Sequence, residues 1–129
     1  MIVVDSSAVT ELLLARSRTE AIRTALRSHA EVYVPSHFHV EVLSALRRYS
    51  LQGKLSETRT AGALAGLAKF RALSHPTREL TPAIWKLRFN LTTYDAAYLA
   101  LAQRLDVGLI TLDTALAEAA ARDGRLVGV

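Results

Sequence analysis

The stretch TTYDAAYLALA, residues 92–102, predicts a buried helix with a carboxylate near its N-terminus. Thr92 or Thr93 can cap this helix, and Asp95 falls in its first turn. The residues after Ala96 are apolar or small, which is typical of a helix packed in a core. Asp95 then has two interpretations. It either interacts with the helix dipole, or it is one corner of an acidic site. Taken alone, Asp95 favours the first interpretation.

Two further acids follow predicted strands. Asp5 comes directly after the apolar run Ile2-Val3-Val4, and Asp113 comes directly after the strand predicted at 109–112. Short, uniformly apolar strands that alternate with helices predict a parallel sheet covered on both faces. Ligands bind beyond the carboxyl ends of the strands in such sheets, so both acids are expected at that edge. A helix cap is the alternative interpretation for each acid taken singly.

A fourth acid, Glu41, lies well inside the helix that begins at Ser36 and runs to about Gln52. Its neighbours Ser44 and Ala45 are small and leave space beside the carboxylate, although a solvated glutamate is the alternative. Several carboxylates in one place repel one another unless protons or cations neutralise them. The chain has no cysteine and no paired histidine motif, so the expected cation is Mg²⁺ or Mn²⁺. Such a site suits hydrolysis of a phosphodiester.

The remaining elements complete a single α/β domain over residues 1–129, without repeats or linkers. The expected fold is a three-layer α/β/α sandwich with a central, mainly parallel sheet of four to five short strands. The first helix is predicted to be capped by Asp5 or Ser6 and to continue through 8–15. Further helices are predicted at 19–27, 57–72, 82–87 and 113–122, further strands at 32–35, 78–81 and 126–129, and a turn at 75–77.

The composition excludes several classes of protein. Half of the residues are hydrophobic and 22% are charged, which excludes general disorder, and 129 residues suffice for a core. Without cysteine there are no disulfides and no thiolate metal sites. The N-terminus reaches a charge at Asp5 and has no basic region, unlike a signal peptide. No apolar run approaches the roughly 18 residues of a membrane span, so we expect a cytoplasmic protein.

The positive charge of the chain comes mainly from arginine. Thirteen arginines and three lysines face twelve acids, which gives a net charge of +4. Arginine binds phosphate through a planar fork, which favours a nucleic-acid partner, although a high-GC coding sequence explains the bias equally well. Arg47 and Arg48 follow Glu41 by about two turns and, with Lys86 and Arg88, are candidates for holding RNA phosphates. A solvated basic face is the alternative.

Histidines and tyrosines have simpler interpretations. His37 lies one turn before Glu41 and can touch the site, but an ordinary, partly exposed helix histidine is favoured. His29 and His75 fall in predicted loops without partners. Tyr98 is expected to pack in the core.

Four motifs together resemble a PIN domain over essentially the whole chain. More narrowly, their spacing resembles a VapC-type ribonuclease toxin of a toxin–antitoxin pair. The motifs are Val4-Asp5-Ser6-Ser7-Ala8, Glu41 after Val34-Pro35, Thr93-Tyr94-Asp95-Ala96-Ala97-Tyr98, and Ile110-Thr111-Leu112-Asp113.

The resemblance implies a metal-dependent endoribonuclease with an acidic site formed by Asp5, Glu41, Asp95 and Asp113. Asp5 and Asp95 are the expected direct ligands of Mg²⁺ or Mn²⁺. Glu41 and Asp113 are expected to bind directly, through water, or through a second ion. Ser7 and Thr111 match positions whose hydroxyls orient carboxylates or water. Thr114 stands where many relatives carry a charged residue, which leaves substrate contacts there open.

The resemblance also implies partners. These are an RNA substrate, a cognate antitoxin and a second copy of the chain in a homodimer. The apolar run Leu12-Leu13-Leu14 and the helix at 57–72 are the surfaces expected to bind them. Two alternatives remain open. One is an RNA-processing nuclease of PIN type outside any toxin pair. The other is a non-catalytic RNA- or protein-binding module in which the acids are caps and surface groups.

Overall fold

The fold is a four-stranded parallel sheet flanked by helices, as seen in a computed structural model that describes all 129 residues. The strands lie in the order β3-β2-β1-β4, and every neighbouring pair is parallel. The strands are β1 (Ile2–Val4), β2 (Val32–Pro35), β3 (Leu73–His75) and β4 (Leu109–Ile110). The helices are α1 (Ser6–Leu13), α2 (Thr19–Arg27), α3 (Phe38–Leu51), α4 (Glu57–Lys69), α5 (Thr81–Lys86), α6 (Thr93–Leu105) and α7 (Thr114–Arg122), with a 3-10 helix at Thr77–Leu80.

The central strand β1 shows that the sheet is covered on both faces. Successive side chains of a strand point to opposite faces, and Ile2, Val3 and Val4 are all fully buried. Helix α6 packs against β1 and β2, and Ala96–Ala102 are buried without interruption. The predicted α/β sandwich and the predicted buried helix are therefore confirmed.

The strand order creates a crevice next to β1. The chain moves from β1 to β2 and β3 on one side and then returns to place β4 on the other side of β1. Val3 pairs with Leu109 and Val4 with Ile110, so β1 and β4 end side by side. A reversal of strand order opens a cleft beyond the carboxyl ends of the strands. Asp5 directly follows β1, and Asp113 follows β4 after two residues.

Two predicted strands are wrong. The third strand is Leu73–His75, partly where a turn was expected, and the predicted strand at 78–81 lies mostly in the 3-10 helix. Leu73 and Ser74 are exposed because β3 is an edge strand. The sequence of β3 therefore lacks the apolar run that is typical of a buried strand. The predicted strand at 126–129 is reduced to one bridge between Leu126 and Leu109.

Helix boundaries differ from the prediction by one to three residues at several ends. Helix α1 begins at Ser6 after Asp5, one of its two predicted caps, but ends at Leu13 rather than 15, and α4 ends at Lys69 rather than 72. Ser56 caps α4 as the sequence indicates, by accepting a hydrogen bond from the Arg59 N–H at 3.1 Å. No helix combines the length and the apolar character that crossing a membrane requires.

Candidate metal-dependent nuclease site

The four acids predicted to form a site all line one cleft of about 600 Å³ at the carboxyl ends of β1 and β4. Asp5 follows β1, Glu41 projects from α3, Asp95 lies in the first turn of α6, and Asp113 caps α7. Four elements that are distant in sequence thus bring their carboxylates to one place. The topology of the sheet creates this convergence, because β1 and β4 are neighbours.

Asp5 is the most buried of the four, with 2% of its surface exposed. Its Oδ2 accepts hydrogen bonds from the hydroxyls of Ser7 at 2.6 Å and Thr111 at 2.8 Å. Its Oδ1 accepts only a long bond of 3.3 Å from Ser6. Burial raises the pKa of Asp5, against the opposing effect of the two short hydrogen bonds.

The hydroxyls of Ser7 and Thr111 are themselves held in position by the backbone. Ser7 Oγ accepts a hydrogen bond from the Leu112 N–H at 3.0 Å, and Thr111 Oγ1 accepts one from the Asp113 N–H at 3.0 Å. Each hydroxyl therefore has its proton free to donate to Asp5. The β4–α7 connection and the start of α1 are tied together through this one carboxylate.

Three side chains contact one carboxylate oxygen of Glu41, Oε1. Its Oε1 accepts hydrogen bonds from Tyr98 at 2.6 Å and Ser6 at 3.3 Å, and His37 Nε2 lies 3.5 Å away. Partial burial pushes the pKa of Glu41 upward, but the contacts with His37 and Tyr98 outweigh it. The net pKa lies below its ordinary value, so Glu41 is ionised at neutral pH.

His37 and Tyr94 form the wall beside Glu41. His37 Nε2 also lies 3.1 Å from the carbonyl oxygen of Tyr94, which can only accept a hydrogen bond, so Nε2 carries a proton. The ring packs edge-on against both Tyr94 and Tyr98, with centroids 5.5 and 5.3 Å away. His37 therefore joins α3 to α6 at the cleft.

The pKa of Asp95 is affected by the other three acids of the cleft. Thr92 caps α6 by accepting a hydrogen bond from the Asp95 N–H at 3.2 Å, as the sequence predicts. Burial, followed by the negative charges of Asp113, Asp5 and Glu41, raises the pKa of Asp95 to about 6. The other three carboxylates therefore add to burial in disfavouring the ionised form of Asp95.

In Asp5, Glu41 and Asp113, the protein donates its short hydrogen bonds to one carboxylate oxygen and leaves the other oxygen with few or no donors. For Asp113 the bonded oxygen is Oδ2, which accepts a hydrogen bond from the Leu116 N–H at 2.9 Å and so caps α7. The oxygens left without a donor are Oε2 of Glu41 and Oδ1 of Asp113, and Oδ1 of Asp5 accepts only the long bond from Ser6. Carboxylate oxygens that are fixed in orientation and short of donors suit a hard cation.

The donor set fits a hydrated divalent cation better than a closed protein cage. No group of three or more His, Cys, Asp or Glu side chains is arranged to hold one ion by itself. Mg²⁺ usually keeps several waters and binds through one or two carboxylates. A hydrated ion is thus compatible with the spacing, and its charge would offset the repulsion that raises the pKa of Asp95.

Comparison with known proteins agrees with this geometry. The profile of the PIN domain family matches residues 2–122. The chain belongs to the PIN domain family. Its relatives include ribonuclease VapC12 of Mycobacterium tuberculosis, 35% identical over 92% of this chain and 91% of that one. They also include ribonuclease VapC3 of the same species, 37% identical over 92% of this chain and 86% of that one.

Solved structures show the same fold. The crystal structure of VapC20 of M. tuberculosis, a sarcin–ricin loop cleaving toxin, superposes with a TM-score of 0.69 at 18% identity, covering 92% of this chain and 95% of that one. A toxin–antitoxin complex from Klebsiella pneumoniae gives 0.61 at 20% identity, with 88% of each chain covered. The predicted membership among the VapC-type PIN ribonuclease toxins is confirmed.

The basic residues of this PIN domain are divided between the cleft and other surfaces. Arg48 lines the cleft, whereas Arg47, Lys86 and Arg88 do not. Arg88 instead lies over the rings of Trp85 and Phe89, 4.8 and 4.2 Å from their centroids. A second cleft arginine, Arg16, was not singled out in the sequence.

The sequence prediction also missed three of the groups around Glu41. Tyr98 is fully buried as expected, yet its hydroxyl reaches Glu41, and His37 contacts the acid against the favoured interpretation. Ser6 hydrogen-bonds both Asp5 and Glu41. Helical spacing was the available signal, because Tyr98 lies three residues after Asp95 and His37 four residues before Glu41.

Proposed function

We propose that this VapC-type ribonuclease is a Mg²⁺- or Mn²⁺-dependent endoribonuclease whose site consists of Asp5, Glu41, Asp95 and Asp113. The observation that carries the proposal is the convergence of these four carboxylates in one cleft, where burial and the charges of the other three acids raise the pKa of Asp95. Asp5 and Asp95 would hold the ion directly. The bound ion would supply an activated water and offset charge on the phosphoryl and leaving oxygens.

The residues around the ion have distinct tasks in this proposal. Ser7 and Thr111 fix the orientation of Asp5 and leave Oδ1 available. Glu41 has a lowered pKa and is therefore a weak base, so it orients water through Oε2 and does not remove its proton. Asp113 uses one oxygen to cap α7 and presents the other to the cleft. The reaction needs no covalent enzyme intermediate.

The test is cleavage of a structured RNA with Mg²⁺, with EDTA, and by the Asp95→Asn variant. We expect cleavage only by the unmodified chain with Mg²⁺, and a rate loss of about a hundredfold or more in the variant, above the usual cost of altering outer-shell groups. Asp123→Asn is the matched control, because Asp123 is an exposed aspartate outside the cleft. Equal activity in all arms would contradict the proposal.

We further propose that the chain acts in the cytoplasm as a homodimer that a cognate antitoxin binds. Exposed leucines on two adjacent helices support a protein partner, namely Leu43 and Leu51 on α3 and Leu64 on α4. Native mass spectrometry of the chain, alone and co-expressed with the product of a neighbouring small gene, tests both partners. A monomer in both samples would contradict this part of the proposal.

A further inference from the structure

The cleft has two chemically different ends. Helices α1 and α3 pack together, and both run from the acids towards basic and aromatic residues. On α3, Glu41 lies at the acidic end, and Arg48 and Tyr49 lie two turns later. At 1.5 Å per residue, Glu41 and Arg48 are about 10 Å apart along the helix. Arg48 therefore lies two turns further along the cleft wall than the acids.

Arg16 reaches the same end of the cleft from the end of α1. Ala15 has a positive φ of 52°, and the hydrogen bonds Ala15 N–H to Leu12 O and Arg16 N–H to Glu11 O form a Schellman motif. Alanine adopts this left-handed conformation only at a cost in free energy, because its Cβ approaches the following carbonyl oxygen. The backbone turns sharply at Ala15, and Arg16 lines the cleft directly after this turn.

The guanidinium of Arg16 is held in place but is far from saturated. Its Nη1 donates to the Tyr49 hydroxyl at 3.0 Å, and its Cζ lies 4.5 Å from the centre of the Tyr49 ring. Arginine has five N–H donors, so four remain free. The neighbouring Glu11 accepts a hydrogen bond from the Arg18 N–H at 3.3 Å, and no ion pair joins it to Arg16. Pre-positioning lowers the entropy cost of binding an anion.

Thr10 supplies an unpartnered polar group in the same cleft as this arginine. It lies one turn after Ser6 on α1, lines the cleft and is 6% exposed. Its Oγ1 is the one buried side-chain oxygen or nitrogen without a hydrogen-bond partner. A buried hydroxyl without a partner is costly, and threonine in a helix has two accessible rotamers. Turning the hydroxyl towards a ligand would therefore break no existing hydrogen bond.

We propose that Arg16, Arg48 and Thr10 form a phosphate subsite that binds a backbone phosphate of the RNA other than the scissile one. Tyr49 anchors Arg16 and does not itself bind the phosphate. This inference rests on the proposed nuclease function and adds a position for the substrate along the cleft. Because the acids and the arginines occupy opposite ends of the cleft, the subsite also places the RNA strand along the length of the cleft.

The first test separates binding from chemistry with a short fluorescein-labelled RNA hairpin. Arg16→Gln should raise KM roughly tenfold with kcat nearly unchanged, as expected for loss of a charged hydrogen bond made equally in the ground and transition states. It should also reduce the slope of log KM against log salt by about one. Tyr49→Phe should raise KM less and leave the slope unchanged, because the arginine charge remains.

Arg23→Gln is the matched control, because Arg23 is an arginine on α2 that pairs with Glu20 outside the cleft. It should leave KM and the salt slope unchanged. Thr10→Val keeps the shape of the side chain, removes the unpartnered hydroxyl and should raise KM by a few fold. Circular dichroism of each variant checks that the fold is retained.

The second test locates the phosphate. A series of hairpins, each with one uncharged methylphosphonate linkage, should reveal one linkage outside the cleavage position whose neutralisation raises KM for the unmodified chain. For Arg16→Gln the same linkage should have no effect. If both proteins respond equally at every linkage, or if Arg16→Gln has the KM of the unmodified chain, the subsite is wrong. Absence of Mg²⁺-dependent cleavage by the unmodified chain would instead refute the proposed function.

Discussion

The Asp95 carboxyl lies where three other carboxylates make a negative charge unfavourable. Its pKa of about 6 in the folded chain exceeds its ordinary value of 3.8, so the folded state binds this proton more tightly than the unfolded state. The resulting stability is complete below about pH 4 and is lost as the pH rises through about 6. Screening by solvent at this half-buried site limits the cost at neutral pH to about 1 kcal/mol.

Replacing Asp95 by asparagine should therefore stabilise the metal-free chain. In EDTA at about pH 8 we expect the free energy of unfolding of Asp95→Asn to rise by about 1 kcal/mol, because the ionised carboxylate is removed. Below about pH 4 the gain should disappear, since the carboxyl of the unmodified chain is then protonated in both states. Urea unfolding at the two pH values measures the difference. A variant that is less stable at the higher pH would contradict the electrostatic explanation.

Tyr98 makes a second residue-scale prediction, because its buried hydroxyl donates to Glu41 at 2.6 Å. Tyr98→Phe should lower the free energy of unfolding by about 1–2 kcal/mol and should lower kcat/KM about tenfold, since Glu41 loses its shortest hydrogen bond. Tyr94→Phe is the control, because the hydroxyl of Tyr94 makes no hydrogen bond within the protein. Denaturant unfolding and RNA cleavage together test it. Equal losses of stability and of kcat/KM in both variants would show that the Tyr98 hydroxyl does not position Glu41.

The residues of the site differed in how far the sequence could predict them. Ser7 lies two residues after Asp5, and Thr111 lies two residues before Asp113, so their link to the acids follows from local spacing. The bond from Thr111 to Asp5 spans 106 residues and depends on the pairing of β1 with β4. Glu41 meets Tyr98 across 57 residues, and no local pattern specifies that contact.

Among the helices, α4 contains two glycines with different surroundings. A Cβ at Gly62 would meet no atom within 4 Å, whereas a Cβ at Gly66 would lie 2.8 Å from Leu13 Cδ2. Gly66 therefore marks the place where α4 approaches α1. Glycine elsewhere in a helix only weakens it, because the unfolded chain gains conformational freedom.

This contrast predicts different outcomes for a matched pair of variants. Gly62→Ala should raise the free energy of unfolding by about 0.5–1 kcal/mol, the difference in helix propensity. Gly66→Ala should stabilise less than Gly62→Ala, because the Leu13 methyl group must turn away to relieve the overlap. Thermal and urea unfolding of both variants measures the difference. Equal stabilisation would show that the Leu13 side chain does not restrict the size of the residue at position 66.

The elements were predictable where burial imposes a pattern. The strand β1 is wholly apolar and β-branched, as expected where both faces of the sheet are covered. Ser56, Thr92 and Asp113 cap helices as their sequence positions indicate. The edge strand β3 carries no such pattern, since Leu73 and Ser74 face solvent. Its pairing with β2, including Tyr33 with Leu73, is a tertiary contact that the local sequence does not specify.

For the molecule as a whole, charge is divided between the surface and the cleft. The net charge is +4, yet the cleft gathers Asp5, Glu41, Asp95 and Asp113 at one end. A basic exterior attracts the phosphate backbone, whereas the acidic end repels it until a cation is present. A divalent ion would therefore act on both the stability of the fold and the approach of RNA.

Binding of Mg²⁺ should be visible as a stabilisation of the folded chain, because the unfolded chain lacks the assembled acids. At ten times its Kd, Mg²⁺ should raise the free energy of unfolding by about 1.4 kcal/mol, or the Tm by roughly 4 °C. Potassium chloride at the same ionic strength should not do so. Asp123→Asn should keep the rise, whereas Asp95→Asn should begin from a higher Tm in EDTA and show little further increase. An equal Mg²⁺ response in both variants would place the ion outside the acidic cleft, and no response in the unmodified chain would favour a binding module without metal chemistry.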